Sequence, residues 1–387
     1  MQRLSIEIDH KSYIRELRER FRDVWSFGRN VLVGWRPVDD GITVLYAPIY
    51  ALPDIARRHA ALLERHRHID SDEKLDELVA AGCECALIDT PFRVMISPQA
   101  IDAIDGALVE FSVTKSKCRA VALFDIVKFS MLSPFEQVTQ LNSLAYSVNI
   151  ALARCRDAGI AVDLAMTTTG DGFYVWNKDE GLEADVALYQ LAMLALADNA
   201  VAQEKDTNYR APALRTCIHF GSHYEYFQAA GLSNQVREFI VGDATIEAAR
   251  MISAALPNQV LIGSYLRERA DADGEFDVIT GGEPLNTPTF IALAQRDVVR
   301  LKGVPLADSH IESAEGYLTG ERLSDEEFTI RTYAIPDKHG INHKVFNAKF
   351  KLVTASGKSV YVGRTDGDLD GFTAKPLKGE DIYVRVV

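Results

Sequence analysis

Residues 118–268 place the tightest limit on the fold, because short apolar runs alternate there with longer amphipathic runs. An apolar strand is predicted over Ala120–Ile126. A helix follows over Ser133–Ala158, with Ser133 as its cap and Pro134 in its first turn. Further strands are predicted over Ala161–Thr167, Phe173–Trp176, Leu214–Phe220, Glu238–Val241 and Gln259–Ile262, and further helices over Gly181–Ala202 and Asp243–Leu256. This order, with one antiparallel hairpin, predicts an α+β fold in which a mixed sheet carries helices on one face.

Two aspartates stand where the predicted strands end or turn. Asp125 ends the first apolar strand, and Asp171 lies in the Gly170-Asp171-Gly172 turn of the hairpin. A lone aspartate at a strand end is usually only a turn or capping residue, but two on rigid backbone can bridge a pair of divalent cations. With the main-chain carbonyl oxygen of Ile126, they offer the oxygen ligands that Mg²⁺ and Mn²⁺ prefer. A two-metal site suits phosphoryl chemistry, because one ion activates the attacking hydroxyl and the other neutralises the leaving group.

Residues 1–115 carry less chemical information. They predict an α/β module of unknown role, which could be regulatory or dimer-forming. Its predicted elements are strands over Leu4–Ile8, Asn30–Trp35 and Gly41–Tyr46 and helices over Ser12–Trp25, Pro53–His68 and Ser71–Ala81. The basic residues between Arg57 and His68 could hold a phosphate, but a solvated helix face is the favoured interpretation.

The chain after residue 300 predicts mostly β-structure. A polar stretch covers Pro305–Glu327, and one strand is predicted over Phe328–Ile335. Three more β-type runs follow, Val345–Val353, Val360–Val362 and Ile382–Val386. They predict a small antiparallel segment over residues 337–387, so that the central domain spans residues 118–336.

The net charge of −13 argues against broad electrostatic attraction to nucleic acid or to an anionic membrane, because such partners need clustered Lys and Arg. Five scattered cysteines suggest no disulfide framework. The first residues have no apolar signal core, and no run is long enough to span a membrane. We therefore expect a protein of the reducing cytoplasm.

Four segments in a fixed order resemble the motifs of class III nucleotidyl cyclases. Phe124–Ser130 is similar to the first metal motif, and Thr169–Phe173 is similar to the second. Leu214–Gly221 resembles the strand that follows, and Gly242–Met251 resembles the helix that carries the transition-state arginine. The resemblance implies a ferredoxin-like class III cyclase catalytic domain, and a homodimer whose active sites are shared between subunits.

The same resemblance implies roles for individual residues. Asp125 and Asp171 would hold two divalent cations, Mg²⁺ or Mn²⁺. Arg250, supplied by the other subunit, would contact the triphosphate of the nucleotide. Lys302 resembles a further phosphate-binding lysine, and Phe129, within the first motif, is expected to contact the substrate.

The base pocket departs from the family pattern. Adenylate cyclases use a lysine and an aspartate to read adenine, and Thr167 and Phe239 stand at those two positions. Ile246 replaces the ribose-contacting asparagine, and Lys128 replaces the usual glycine after the first metal aspartate. A hydroxyl and an apolar ring cannot reproduce the charged pair that selects a purine edge.

The Asp337-Lys338-His339-Gly340 segment is similar to one in the pyrimidine cyclases of bacterial Pycsar anti-phage systems. These enzymes make cyclic UMP or cyclic CMP. The resemblance therefore implies a uridylate cyclase that converts UTP, and CTP less well, into the 3′,5′-cyclic nucleotide and pyrophosphate. It also implies that a separate effector protein reads the product.

Three other functions compete with this interpretation. An adenylate cyclase with an altered base pocket would keep the same metal chemistry. A catalytically inactive homologue would bind a nucleotide and signal by contact, although both aspartates and the arginine are present. A diguanylate cyclase shares the sheet topology, but its Gly-Gly-Asp/Glu-Glu-Phe turn is absent from the sequence.

Overall fold

The computed structural model describes residues 10–39, 41–90, 96–205, 210–229, 236–267, 284–321, 323–324, 327–337 and 340–385. The strand predicted over Leu4–Ile8 lies outside these ranges, and so do Lys338 and His339 of the Pycsar-like segment. No helix within the ranges is both long and apolar enough to cross a bilayer.

The contacts of the chain divide it into two units. Unit 1 comprises Met1–Ser116 and Tyr224–Ile240, and unit 2 comprises Lys117–His223 and Val241–Val387. The boundary between Ser116 and Lys117 agrees with the boundary predicted from the sequence between residues 115 and 118. Residues 224–240 join unit 1, whereas residues 337–387 stay within unit 2 and do not form a unit of their own.

Most of the predicted helices and strands are present close to their predicted positions, although the strands that begin at Val113 and at Leu214 are longer than predicted. The helices are α1 (His10–Val24), α2 (Leu52–Arg58), α3 (Asp72–Ala80), α4 (Pro98–Val109), α5 (Pro134–Asp157), α6 (Leu182–Lys205), α7 (Asp243–Ala254) and α8 (Thr287–Asp297). The strands are β1 (Asn30–Val38), β2 (Gly41–Pro48), β3 (Glu84–Asp89), β4 (Val113–Ile126), β5 (Leu164–Thr168), β6 (Gly172–Asn177), β7 (Leu214–Ala229), β8 (Val236–Val241), β9 (Val260–Gly263), β10 (Leu266–Arg267), β11 (Leu285–Asn286), β12 (Pro305–Leu306), β13 (Ser309–Leu318), β14 (Glu327–Ile330), β15 (Thr332–Pro336), β16 (Asn342–Thr354), β17 (Ser359–Gly363), β18 (Lys375–Pro376) and β19 (Ile382–Arg385). Ser133 caps α5 as predicted, in a capping box with Glu136.

In unit 1, β1, β2 and β3 form an antiparallel sheet, and the buried Trp35 donates from Nε1 to Oδ1 of Asp105 at 2.6 Å. The prediction of one helix over Pro53–His68 is wrong for the second half of that range. The chain turns there, and the main-chain N–H of Trp35 donates to the carbonyl oxygen of Arg67. The Arg67 guanidinium is buried and donates to Thr114 Oγ1 and to two main-chain carbonyls. Arg67 therefore braces this unit and does not present its charge to a phosphate.

Unit 2 is built on a mixed sheet with the strand order β12-β13-β16-β9-β7-β4-β6-β5. β7 and β9 run parallel, whereas β4 and β6 run antiparallel. β15 and β17 also pair with β16. The predicted α+β fold with a mixed sheet is confirmed by this topology.

Helices lie on both faces of this sheet. Phe124 of β4 belongs to the large core formed with α5, α6 and α8, whereas Leu123 packs with Met251 and Ile252 of α7. Alternate residues of a strand point to opposite faces, so the expectation of helices on one face only is corrected by α7. Asp125 follows Leu123 by two residues and therefore lies on the α7 face.

The second half of the chain holds elements that the sequence analysis did not predict. The polar stretch Pro305–Glu327, for which no strand was predicted, contains β13, which pairs with β16. The single strand expected over Phe328–Ile335 is two strands, because β14 pairs with β19 while β15 pairs with β16. The tail is not a small addition, since β16 lies between β13 and β9 inside the main sheet.

Candidate active site

Strand pairing sets Asp125 and Asp171 side by side. In the β4–β6 pair, Asp125 stands opposite Gly172, and the main-chain N–H of Ile126 donates to the carbonyl oxygen of Asp171 at 2.9 Å. Residue 172 has to be glycine, because a Cβ atom there would lie 1.9 Å from the main-chain oxygen of Phe124. The hairpin turn therefore packs directly on the end of β4, and both carboxylates stand on backbone that is held in place.

Arg215 is the immediate partner of Asp125. Asp125 is only 6% exposed, and Nε of Arg215 donates to its Oδ2 at 2.7 Å. The pKa of Asp125 is raised, chiefly by burial; the guanidinium of Arg215 lowers it, and the neighbouring carboxylate of Asp171 raises it. The net shift of the Asp125 pKa is upward, so its negatively charged form is destabilised. Additional positive charge beside the two carboxylates would stabilise them in that form.

The donor set fits divalent cations that take oxygen ligands. Asp125 and Asp171 supply two carboxylates, and the carbonyl of Ile126 belongs to the next residue along β4. Within the described ranges, no three or more His, Cys, Asp and Glu side chains are grouped to hold a metal ion. Two carboxylates are nevertheless enough for a Mg²⁺ site that substrate phosphates and water complete.

The turn after Asp125 has an unusual backbone position. Lys128 is exposed and has a φ of 57°, in the left-handed region that favours glycine. A lysine adopts this conformation at a steric cost that glycine, the residue expected there from the family resemblance, does not have. Phe129 begins the 3₁₀ turn that follows, Phe129–Met131, and is half-buried against the large core. Its contact with a substrate stays a prediction.

Thr167 shares a face of the sheet with Asp125. Thr167 stands opposite Tyr174 in the β5–β6 pair, and Tyr174 stands opposite Leu123 in the β4–β6 pair. Directly opposed residues point to one face, and Leu123 and Asp125 alternate along β4. The hydroxyl of Tyr174 donates to the carbonyl of Thr245 in α7 at 3.0 Å. The half-buried Thr167 is therefore two strands away from β4, beyond Tyr174.

Phe239 and Lys302 have other partners. Phe239 belongs to unit 1, where its ring stacks on Tyr226 with centroids 5.5 Å apart. Lys302 is exposed and donates from Nζ to Oε1 of Glu312 at 2.7 Å. Glu312 lies on β13, which is separated from β4 by β16, β9 and β7. Within one chain, the structure does not bring Lys302 to the two aspartates.

Arg250 lies on α7, and its side chain contacts the end of the sheet that holds β15 and β16. Its Nη1 donates to Oε1 of Glu247 at 3.1 Å, and its Nη2 lies 3.6 Å from Oδ2 of Asp337, which follows β15. β15 pairs with β16, and β9 and β7 separate β16 from β4, so β16 and β4 are about 14 Å apart at the usual strand spacing. Arg250 and Asp125 of one chain therefore do not share a site.

Sequence reasoning missed several residues around these groups. Arg215 was noticed only as part of a strand motif. It lies two residues before the buried Cys217, and this spacing was a signal that both side chains share the inward face of β7. Glu247, Asp337 and His343 were assigned no role. The last two lie at a hairpin whose place in the sheet was not predicted, so no sequence signal could connect them with α7.

No protein-family model and no curated protein matches the sequence. Among solved structures, the adenylyl cyclase CyaB from P. aeruginosa is similar at 16% identity, over 42% of this chain and 90% of that chain, with a TM-score of 0.30. The guanylate cyclase domain of RhGC from Catenaria anguillulae, in complex with GTP, is similar at 14% identity, over 62% and 98% of the two chains, with a TM-score of 0.33. A bacterial light-regulated adenylyl cyclase is similar at 18% identity, over 43% and 49%, with a TM-score of 0.30. Because each TM-score is below 0.5, this likeness does not identify the fold or the activity of the chain.

Proposed function

We propose that the chain is a nucleotidyl cyclase that converts UTP into 3′,5′-cyclic UMP and pyrophosphate. The observation that carries the proposal is the placement of Asp125 and Asp171 side by side, on backbone that the β4–β6 pairing fixes, with Arg215 against Asp125. Adjacent carboxylates of this kind fit the divalent cations that phosphoryl chemistry uses. The order of the four cyclase-like segments in the sequence supports the same activity.

The proposed active form is a homodimer with shared sites. In one chain, Arg250 lies several strands away from the two aspartates. A group that stabilises transition-state charge has to reach the reacting phosphate. Two copies that each lend Arg250 to the aspartates of the other would complete two sites, which is the arrangement that the family resemblance implies.

In the proposed reaction, the 3′ hydroxyl oxygen of the ribose attacks the α-phosphorus. A bond forms between these two atoms, the bond to the oxygen of the leaving pyrophosphate breaks, and the hydroxyl proton passes to solvent. The divalent cations, when bound, supply activation of the hydroxyl and neutralisation of phosphate charge. Asp125 and Asp171 keep that positive charge in place, and the Arg250 guanidinium stabilises the negative charge that develops on the phosphate oxygens.

Selection of the base is proposed to depend on Thr167 and Phe239. A threonine hydroxyl can donate and accept, and a phenylalanine ring offers a face on which a base stacks. Neither can pair fully with a purine edge, so ATP and GTP would leave polar groups unpaired and react poorly. Phe129 and Lys302 remain proposed contacts of the substrate and of its phosphates.

The test is a competition between nucleotides. The purified chain is incubated with equal concentrations of all four NTPs and Mn²⁺, and the products are identified by mass spectrometry. We expect cyclic UMP as the main product and cyclic CMP as the second. Cyclic AMP as the main product would favour the adenylate cyclase with an altered base pocket.

A nucleotide-binding homologue without activity is the second candidate. The observation that favours it is Ile246, an exposed apolar side chain at the position of the ribose-contacting asparagine. Absence of any cyclic product in the competition assay, together with measurable nucleotide binding, would support this candidate and contradict the proposed enzyme.

The wider role proposed here follows from the product. A cyclic pyrimidine nucleotide is a diffusible signal, so the enzyme would act in the cytoplasm as the second-messenger synthase of an anti-phage defence system. A separate effector protein would bind the product. Unit 1 is proposed as the part that regulates or dimerises the enzyme.

A further inference from the structure

Arg250 is held between two carboxylates that come from different parts of the chain. Glu247 lies one helical turn before it on α7, and Nη1 of Arg250 donates to Oε1 of Glu247 at 3.1 Å. Asp337 lies just after β15, and its Oδ2 is 3.6 Å from Nη2 of Arg250. About one-third of the Arg250 side chain remains exposed. One terminal nitrogen of the guanidinium is therefore hydrogen-bonded, the other lies within ion-pair distance of a carboxylate, and part of the side chain stays open to a ligand.

His343 joins the two carboxylates. Its side chain is 5% exposed, and Nδ1 donates to Oε2 of Glu247 at 2.5 Å. Its Nε2 lies 3.4 Å from Oδ2 of Asp337. The imidazole stands on β16, at the position opposite Ile335 of β15, so the sheet fixes the ring. The ring therefore holds Glu247 by a hydrogen bond and lies within ion-pair distance of Asp337.

The main chain anchors Asp337 from the other side. The N–H of Ile341 donates to Oδ1 of Asp337 at 2.9 Å, and the N–H of Asp337 donates to the carbonyl of Ile341 at 2.9 Å. This leaves Oδ2 directed to Arg250 and His343. Asp337 is the first residue of the segment that resembles the pyrimidine cyclases, and these contacts give that residue a physical role.

We infer that Glu247, His343 and Asp337 are positioning residues that fix the Arg250 guanidinium before the nucleotide arrives. The inference rests on the proposed function, in which Arg250 stabilises charge on the phosphate. A free arginine side chain samples many rotamers, and binding would have to order it. A guanidinium that is ordered in advance loses less freedom when the reaction begins, and its charge is available where the phosphate charge develops.

The effect of this network on the position of Arg250 can be distinguished from an effect on folding stability and from an effect on the electrostatic attraction of the nucleotide. Removal of a carboxylate beside Arg250 makes the surroundings more positive, which favours binding of a triphosphate. It also releases the guanidinium, which lowers the rate of the chemical step. A positioning role therefore predicts a lower kcat with an unchanged or lower KM, whereas general loss of structure would raise KM and reduce the folded fraction.

The experiment compares the full-length wild type with Glu247→Gln, Asp337→Asn and the double variant. The matched control is Glu204→Gln, which removes a carboxylate from the ion pair with Lys358 elsewhere in unit 2. With the NTP that the wild type prefers, we expect the double variant to lose roughly tenfold to a hundredfold in kcat, the scale of a misplaced catalytic group. KM should not rise, and the control should match the wild type.

A second measurement does not depend on activity. In deuterated, ¹⁵N-labelled protein, the Nε–H signal of Arg250 is identified by its loss in Arg250→Lys. Its order parameter should be high in the wild type and in Glu204→Gln, and should fall below about 0.6 in the double variant. A wild type that turns over no NTP would contradict the proposed function, and the order parameter would still decide whether the network holds Arg250.

Three results would overturn the inference. An unchanged order parameter in the double variant would show that the network does not fix the side chain. An unchanged kcat despite a mobile Arg250 would show that fixing it does not matter. A higher kcat in the variants would show that the carboxylates hold Arg250 back from the substrate.

Discussion

The two parts of the proposed active site are held in different ways. Asp125 and Asp171 take their places from main-chain pairing, and one register with one glycine brings them together. Arg250 takes its place from side chains, which come from α7 and from the β15–β16 hairpin. Groups on paired backbone keep their positions when nearby side chains change. A group gripped by side chains depends on the charge and hydrogen bonding of each neighbour.

The largest effect is expected when a backbone-held carboxylate is neutralised. Asp171→Asn should abolish turnover of every NTP, because it removes a negative ligand from the proposed cation site. The fold should persist, since the β4–β6 pairing involves the main chain. Activity is measured by mass spectrometry and folding by thermal unfolding. Asp163→Asn, an exposed aspartate just before β5, is the control and should stay active. Near wild-type turnover by Asp171→Asn would remove the carboxylate pair from the mechanism.

The next effect concerns the side-chain-held group. Arg250→Ala should lower kcat about a hundredfold or more, the usual scale for losing a group that stabilises transition-state charge. If the sites are shared, a mixture of Arg250→Ala and Asp125→Asn chains should regain activity, because each mixed dimer holds one complete site. A mixture of Asp125→Asn and Asp171→Asn chains is the control, since both changes damage the same half. If subunits exchange and the first mixture stays as inactive as the control, each chain has a site of its own.

Acid is expected to weaken the side-chain-held region. His219 is buried on β7 near Glu247 and His343, and burial lowers its pKa from 6.5 to about 4. Between these values the unfolded chain binds a proton that the folded chain does not, so stability is full above pH 6.5 and falls toward pH 4. This residue alone should remove up to about 3 kcal/mol from the free energy of unfolding over that window. Denaturant titrations at several pH values should give a shallower pH dependence for His219→Gln. Equal slopes in the two proteins would contradict the assignment.

The smallest effect is expected where a side chain supports the backbone-held half. Arg215→Gln should cost about 1–2 kcal/mol in the free energy of unfolding, because the ion pair with Asp125 is partly buried. It should also increase the stabilisation that Mn²⁺ gives, since a cation no longer competes with the guanidinium for Asp125. Calorimetry with and without Mn²⁺ measures both. Arg154→Gln, which breaks the ion pair with Asp198, is the control. An equal gain from Mn²⁺ in both variants would mean that the cation does not take the place of the guanidinium.

The backbone-held half could be predicted from the sequence, and this follows from how it is built. An apolar run that ends in Asp125 and a turn that presents Asp171 between two glycines are local patterns. Local patterns determine strand and turn, and a hairpin brings neighbouring strands together. The position of Arg215 depended on the pairing of β4 with β7, which is not local, and so its contact with Asp125 was not predicted.

The contacts of the side-chain-held half could not be predicted, although Arg250 itself was named as a candidate. Asp337 and His343 are distant from α7 in sequence, and their contacts require β16 to lie beside β9. The tail was instead expected to form a separate addition. β13 was missed for a related reason: its polar residues at Glu312, Ser313 and Glu315 resemble a loop until its partner β16 is known. A strand that exposes one face to solvent has few apolar residues, so its sequence gives only a weak indication of a strand.

The late position of β16 in the chain has a consequence for biosynthesis. A ribosome releases β9 and β13 well before β16, which pairs with both of them. Until residues 342–354 emerge, one edge of β9 keeps its N–H and C=O groups unpaired beside the apolar Val260, Leu261 and Ile262. Such an edge can recruit a strand from another nascent chain. A premature stop codon before residue 342 would therefore yield an aggregation-prone chain in place of a shortened, folded protein.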